Sequence, residues 1–125
     1  MYIEWNPSPL GAHVGDCSVR AISKVLDIDW ATAYTMLCVR GFDLYDMPSS
    51  NAVVNSLLTM RGFERGTVPN TCPDCYTIED FAADHPHGTF VVGTGNHLVA
   101  ICDGDVYDNW DSTGEIPIFF WEKKK

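Results

Sequence analysis

The sequence predicts an α+β fold, with N-terminal helices packed on a C-terminal antiparallel sheet. Three observations carry this expectation. Apolar residues recur at helical spacing through the first half, β-branched and aromatic runs fill the segment after Thr89, and turns containing Gly and Asp separate those runs. At 125 residues the chain suits one domain spanning residues 1–125. A core that buries roughly two-thirds of the unfolded surface holds a domain of this size without cross-links.

Residues 6–16 are rich in turn formers and read as an ordered loop. A first helix is expected from Asp16, whose carboxylate would cap it, with Val19, Ile22, Val25 and Leu26 on one face and Arg20 four residues from Asp16. A second would start at the cap Asp29 and stop near Gly41, with Trp30, Tyr34, Leu37 and Val39 in or near the core. The third follows Ser49-Ser50 and carries Val53, Val54, Leu57 and Leu58 to Gly62. Phe63 to Val68 reads as a short strand. Thr77-Ile78-Glu79-Asp80 resembles a capping box that opens a short helix, and His85-Pro86-His87-Gly88 breaks it. Phe90-Val91-Val92, Leu98 to Cys102, Val106-Tyr107 and Ile116 to Trp121 then read as strands, with Phe119-Phe120-Trp121 buried or at an edge. Asp103-Gly104 between two of them is the signature of a two-residue hairpin turn.

Charge excludes some functions. Seventeen acidic residues face eight basic ones, for a net charge of −9, and Lys123-Lys124-Lys125 supply three of the eight. A chain that binds by neutralising phosphates needs a basic surface, so neither nucleic acid nor an anionic membrane is an expected partner. No apolar run approaches the ~20 residues that cross a bilayer, and Met1 to Trp5 do not compose a secretory leader. A cytoplasmic protein with its five cysteines reduced is the expectation.

Cys17 would follow directly on the cap of the first helix, where unpaired N–H groups and the helix dipole favour a thiolate. The adjacent Asp16 opposes this unless it turns inward to cap the helix and its charge is absorbed by N–H donors. His97 opens the first arm of the Asp103-Gly104 hairpin. With a two-residue loop Cys102 pairs with Asp105, and Asp108 becomes a diagonal cross-strand neighbour of His97 on the same face as Trp110. A three-residue loop would reverse that parity and favour Asn109. The sequence thus offers a thiol, an imidazole and a carboxylate: a nucleophile, a base to take its proton and a group to orient the base.

Gly15-Asp16-Cys17-Ser18-Val19-Arg20-Ala21-Ile22, Gly95-Asn96-His97-Leu98-Val99-Ala100 and Tyr107-Asp108-Asn109-Trp110-Asp111-Ser112 together resemble the papain-like cysteine peptidase superfamily, and more narrowly its small bacterial and phage members. The resemblance runs from Asn6 to Trp121. It implies a papain-like fold and a thiol hydrolase that cleaves a peptide, isopeptide or other amide bond of a peptide or protein substrate without a cofactor. Cys17 would be the nucleophile, His97 the general base, Asp108 its orienter, and Trp110 a shield over the His97–Asp108 contact. Such peptidases often draw an oxyanion donor from a Gln six residues before the nucleophile. Gly11 stands there in this chain, so Asn6 is the expected donor beside the Cys17 N–H, with His13 second. With so short an N-terminus, no inhibitory propeptide is expected.

Two other readings compete. Cys72-Pro73-Asp74-Cys75 supplies half of a zinc knuckle, which His85 and His87 would complete in a metal-stabilised interaction protein. Alternatively, the papain-like fold serves as a binding module with an inert triad.

Overall fold

The computed structural model describes residues 1–124. In chain order the elements are β1 (Tyr2–Glu4), α1 (Cys17–Leu26), α2 (Trp30–Leu44), α3 (Asn51–Met60), β2 (Phe63–Thr67), α4 (Ile78–Asp84), β3 (Thr89–Gly93), β4 (Leu98–Cys102), β5 (Asp105–Asp108) and β6 (Phe119–Lys123). The architecture is α+β: helices around one six-stranded sheet of order β1-β5-β4-β3-β6-β2. No helix among the described residues is long and apolar enough to cross a membrane.

The sheet is mixed rather than antiparallel. β1 runs parallel to β5, with Tyr2 opposite Val106 and Glu4 opposite Asp108, while the other neighbours are antiparallel. A three-residue strand shows no alternation in sequence, and its partner lies at the far end of the chain. β6 is an interior strand between β3 and β2. It starts at Phe119 rather than Ile116, because Pro117 has no N–H to give a ladder.

Both faces of the sheet are covered. On one, Val91, Leu98, Ala100, Phe119 and Trp121 pack with Ile22, Leu37 and Leu58 from α1, α2 and α3. On the other, Phe90, Val92, Val99 and Ile101 pack with Ile78 and Phe81 of α4. Burial on both faces explains why β4 reads as an unbroken apolar run.

Local chemistry starts the helices. Asp29 accepts from the Thr32 N–H and Ser50 from the Val53 N–H, and Thr77 with Asp80 forms the reciprocal capping box. α2 does not stop at Gly41 but continues to Leu44, ending on left-handed Tyr45 (φ 53°). Gly41 is small for another reason: a Cβ there would lie 2.8 Å from the Asp46 carbonyl oxygen, where the chain returns over the helix. Leu37 is buried as expected, whereas Tyr34 and Val39 are exposed. Cys72 and Cys75, expected as thiols, are joined in a disulfide with their Cα atoms 4.2 Å apart. Cys17, Cys38 and Cys102 are free.

Candidate active site at the start of the first helix

Cys17 is the first residue of α1. Asp16 precedes the helix, but its side chain makes no capping hydrogen bond, contrary to the sequence expectation. Its carboxylate turns to the Arg20 guanidinium through Oδ1 and accepts from Trp30 Nε1 through Oδ2 at 2.9 Å. A guanidinium one turn on neutralises the charge better than polar N–H groups do, and that competition wins. Two consequences follow for Cys17. The adjacent negative charge is compensated, and the first turn keeps its N–H groups free of any side-chain cap.

The hairpin turn fixes the other two groups. Cys102 pairs with Asp105 across a two-residue loop whose Asp103 and Gly104 both take positive φ, 50° and 82°. The resulting parity brings His97, just ahead of β4, to Asp108 at the end of β5, with Nε2 2.6 Å from Oδ2. Asn109 is not the orienter. It donates its backbone N–H to Asp108 Oδ1 at 2.8 Å, and its side chain lines the cavity that holds Cys17. The Trp110 ring lies against His97, centroids 4.8 Å apart.

Cys17 and His97 line the same cavity, and each side chain moves the other's titration. Because Nε2 faces the carboxylate, Nδ1 is the ring nitrogen left for the thiol. Burial pushes the Cys17 thiol up. Hydrogen bonds from His97 and the Leu98 backbone, with the charges of His97 and Arg20, outweigh it and hold the thiol below its ordinary value. Burial also works against the charged form of His97, but its bonds to Asp108 and Cys17 and their charges raise it to about 9. Burial would raise Asp108 too; bonds from His97, Ser112 and Asn109, and the His97 charge, hold it below the usual carboxylate range. The three shifts favour one state, a thiolate beside an imidazolium beside a carboxylate. Cys102 goes the other way, pushed up chiefly by burial.

Asp108 is 1% exposed, and four partners saturate it. Oδ2 meets His97 and accepts from Ser112 Oγ at 2.7 Å, while Oδ1 accepts from Arg20 Nη2 at 2.9 Å and from the Asn109 N–H. Arg20 is itself 4% exposed and bridges Asp16 to Asp108. Sequence reasoning placed Arg20 with Asp16 but missed its second partner, 88 residues on. Ser112 was missed as well, although its place four residues after Asp108 was the available signal.

Asn6 does not reach Cys17. Its amide donates to the Ala12 carbonyl at 3.0 Å and its Oδ1 accepts from the Ser8 N–H at 3.1 Å, so it braces the loop between β1 and α1. His13, the second candidate, lines a cavity of about 310 Å3 with Cys17, His97 and Trp110. The zinc set does not assemble either. Cys72 and Cys75 spend their thiols on each other, and His85 stacks on Phe81 with Nδ1 2.8 Å from the Phe81 carbonyl oxygen. No group of three His, Cys, Asp or Glu suited to a metal ion occurs among the described residues.

Comparison with protein-family models, with curated proteins and with solved structures returns no match.

Proposed function

We propose that this chain is a small papain-like thiol hydrolase acting on an amide bond of a peptide or protein. One observation carries the reading: a half-buried thiol at an uncapped helix start shares a cavity with an imidazole whose Nε2 is held by a buried carboxylate. Cys17 Sγ attacks the carbonyl carbon as a thiolate and forms the C–S bond. The carbonyl oxygen takes the negative charge, facing the Cys17 N–H and the positive end of α1, with His13 as the second donor. Imidazolium His97 gives its proton to the departing amine, and the C–N bond breaks to leave a thioester. Neutral His97 then takes a proton from water, whose oxygen attacks the thioester, and the acid leaves with Cys17 restored. Asp108 holds the ring and its charge throughout; Arg20 and Ser112 hold Asp108.

The test is the pH profile of iodoacetamide alkylation, resolved cysteine by cysteine by mass spectrometry. Cys17 is expected to react rapidly well below the ~8.5 of a free thiol, ahead of Cys38 and Cys102, and to lose that lead in His97→Ala. Cys17→Ala abolishes hydrolysis of any substrate then found. A Cys17 no faster than Cys102 overturns the reading in favour of a binding module.

A further inference from the structure

Two buried carboxylates share one buried guanidinium. Asp16 Oδ1 meets Arg20 Nη1, and Asp108 Oδ1 accepts from Arg20 Nη2 at 2.9 Å. Arg20 Nε has no partner among the described residues, so the pairing of the whole fork goes to these two side chains. Asp16 is held in place from behind: Trp30 Nε1 donates to its Oδ2 at 2.9 Å, and Tyr34 stacks on that indole. Buried charges of this kind are screened far less than surface ones. Asp16, Arg20 and Asp108 together carry a net charge of −1. The His97 ring, 2.6 Å from Asp108 Oδ2, brings the cluster to neutrality when it is protonated. Had Arg20 faced Asp108 alone, that pair would already be neutral and the imidazolium would have no net counter-charge in it. Other groups near the ring do not replace that charge. Cys17 and His13 line its cavity with the neutral Asn109 and Trp110. From β1, the Tyr2 hydroxyl donates to the Asp108 carbonyl at 3.2 Å, and Glu4 is exposed. Cys17 is negative only as a thiolate; as a thioester it is neutral, and the cluster alone must then hold the proton that His97 takes from water.

We propose that Asp16 is a positioning residue of the Cys17 centre that acts through Arg20: by sharing the guanidinium it leaves Asp108 a net negative charge for the His97 imidazolium, above all while Cys17 is acylated. The proposal rests on the thiol-hydrolase reading and adds to it a second carboxylate that touches neither His97 nor substrate. Trp30 serves the same end, since its N–H holds the Asp16 carboxylate toward Arg20.

The test is an NMR titration of the His97 Cε1–H in a Cys17→Ala parent, where the ring titrates without the coupled thiol, as it does beside a thioester. His97→Gln identifies the signal among the four histidines. Net charge ranks the variants. Asp16→Asn keeps an oxygen for Arg20 or Trp30 but makes the cluster neutral, and the His97 midpoint is expected to fall by about one pH unit. Adding Arg20→Met to Asp16→Asn restores the net charge of the cluster and is expected to return the midpoint to the parent value or above. Arg20→Met alone, with two unshared carboxylates, raises it. A merely structural brace would be damaged twice by the double variant, and its midpoint would not recover. A midpoint unchanged by Asp16→Asn, or one that falls further in the double variant, overturns the proposal. Should Arg20→Met alone fail to fold, the other two variants decide. Iodoacetamide alkylation of the chain with Cys17 intact separates the two readings. If Cys17 leads Cys102 but the midpoints do not follow the ranking, the role of Asp16 is refuted and the hydrolase reading stands. If Cys17 is no faster than Cys102, the hydrolase reading falls and takes the proposal with it.

Discussion

Asp108 and Arg20 are a buried ion pair within the site, and losing either leaves a buried charge short of a partner. Their side chains are 1% and 5% exposed. Replacing Arg20 by Met leaves Asp16 without a cation and Asp108 with His97 alone, and the expected loss is about 3–5 kcal/mol by urea unfolding. A loss under about 1 kcal/mol would be that of a surface pair and would contradict the bridge. At the oxyanion, His13→Ala is expected to lower turnover by roughly 10²–10³-fold, and Asn6→Ala to leave turnover alone while loosening the loop. The reverse pattern would restore Asn6 as the donor. The place of Cys17 at a helix start and the pairing of His97 with Asp108 were legible because helix starts and hairpin parity are local rules, whereas the approach of Cys17 to His97 depends on how α1 meets β4 and was not. Asn6 was misread because a side-chain amide follows its nearest backbone partners, here Ala12 and Ser8, before any distant oxyanion.

Elements whose signals are local matched the sequence well: the Thr77 capping box, the Asp103-Gly104 turn and the Ser50 cap all form where their residues stand. Elements that depend on a distant partner did not. Gly41 looked like a helix stop, yet it serves the close return of Asp46 and Pro48 over α2. Propensity alone favours Gly41→Ala by about 0.8–1 kcal/mol. The new Cβ would stand 2.8 Å from the Asp46 oxygen and 3.2 Å from the Pro48 nitrogen, both backbone atoms that yield little. We expect a net loss of about 1–3 kcal/mol, read as a lower Tm; a raised Tm would mean that the return loop gives way. Gly93 shows the same dependence in the sheet. It pairs with Phe119, whose ring covers it so closely that a Cβ would lie 2.2 Å from the ring. That aromatic–glycine pairing is invisible until the register of β3 and β6 is known.

Across the whole molecule, the site lies on the seam between the helical layer and the sheet, with Cys17 from α1 and His97 and Asp108 from the ends of β4 and β5. Its pH dependence follows. His97 is raised from 6.5 to about 9, so the stability that its pairing contributes is complete below 6.5 and is lost as pH rises through about 9. Asp108 is depressed, so its contribution is present above the ordinary carboxylate range and is lost as pH falls through its lowered value. A Tm profile measured across this range should fall on both sides, and His97→Gln should flatten the alkaline limb. An unchanged alkaline limb would mean that the pair is not formed. The same geography has a consequence during synthesis. Residues 2–4 take their places beside residues 106–108, so the first strand waits for nearly the entire chain. At about 5–20 residues per second, Cys17 precedes Asp108 out of the ribosome by on the order of 5–20 s. Throughout that interval Cys17 has neither the His97 ring nor the Asp108 carboxylate complete beside it.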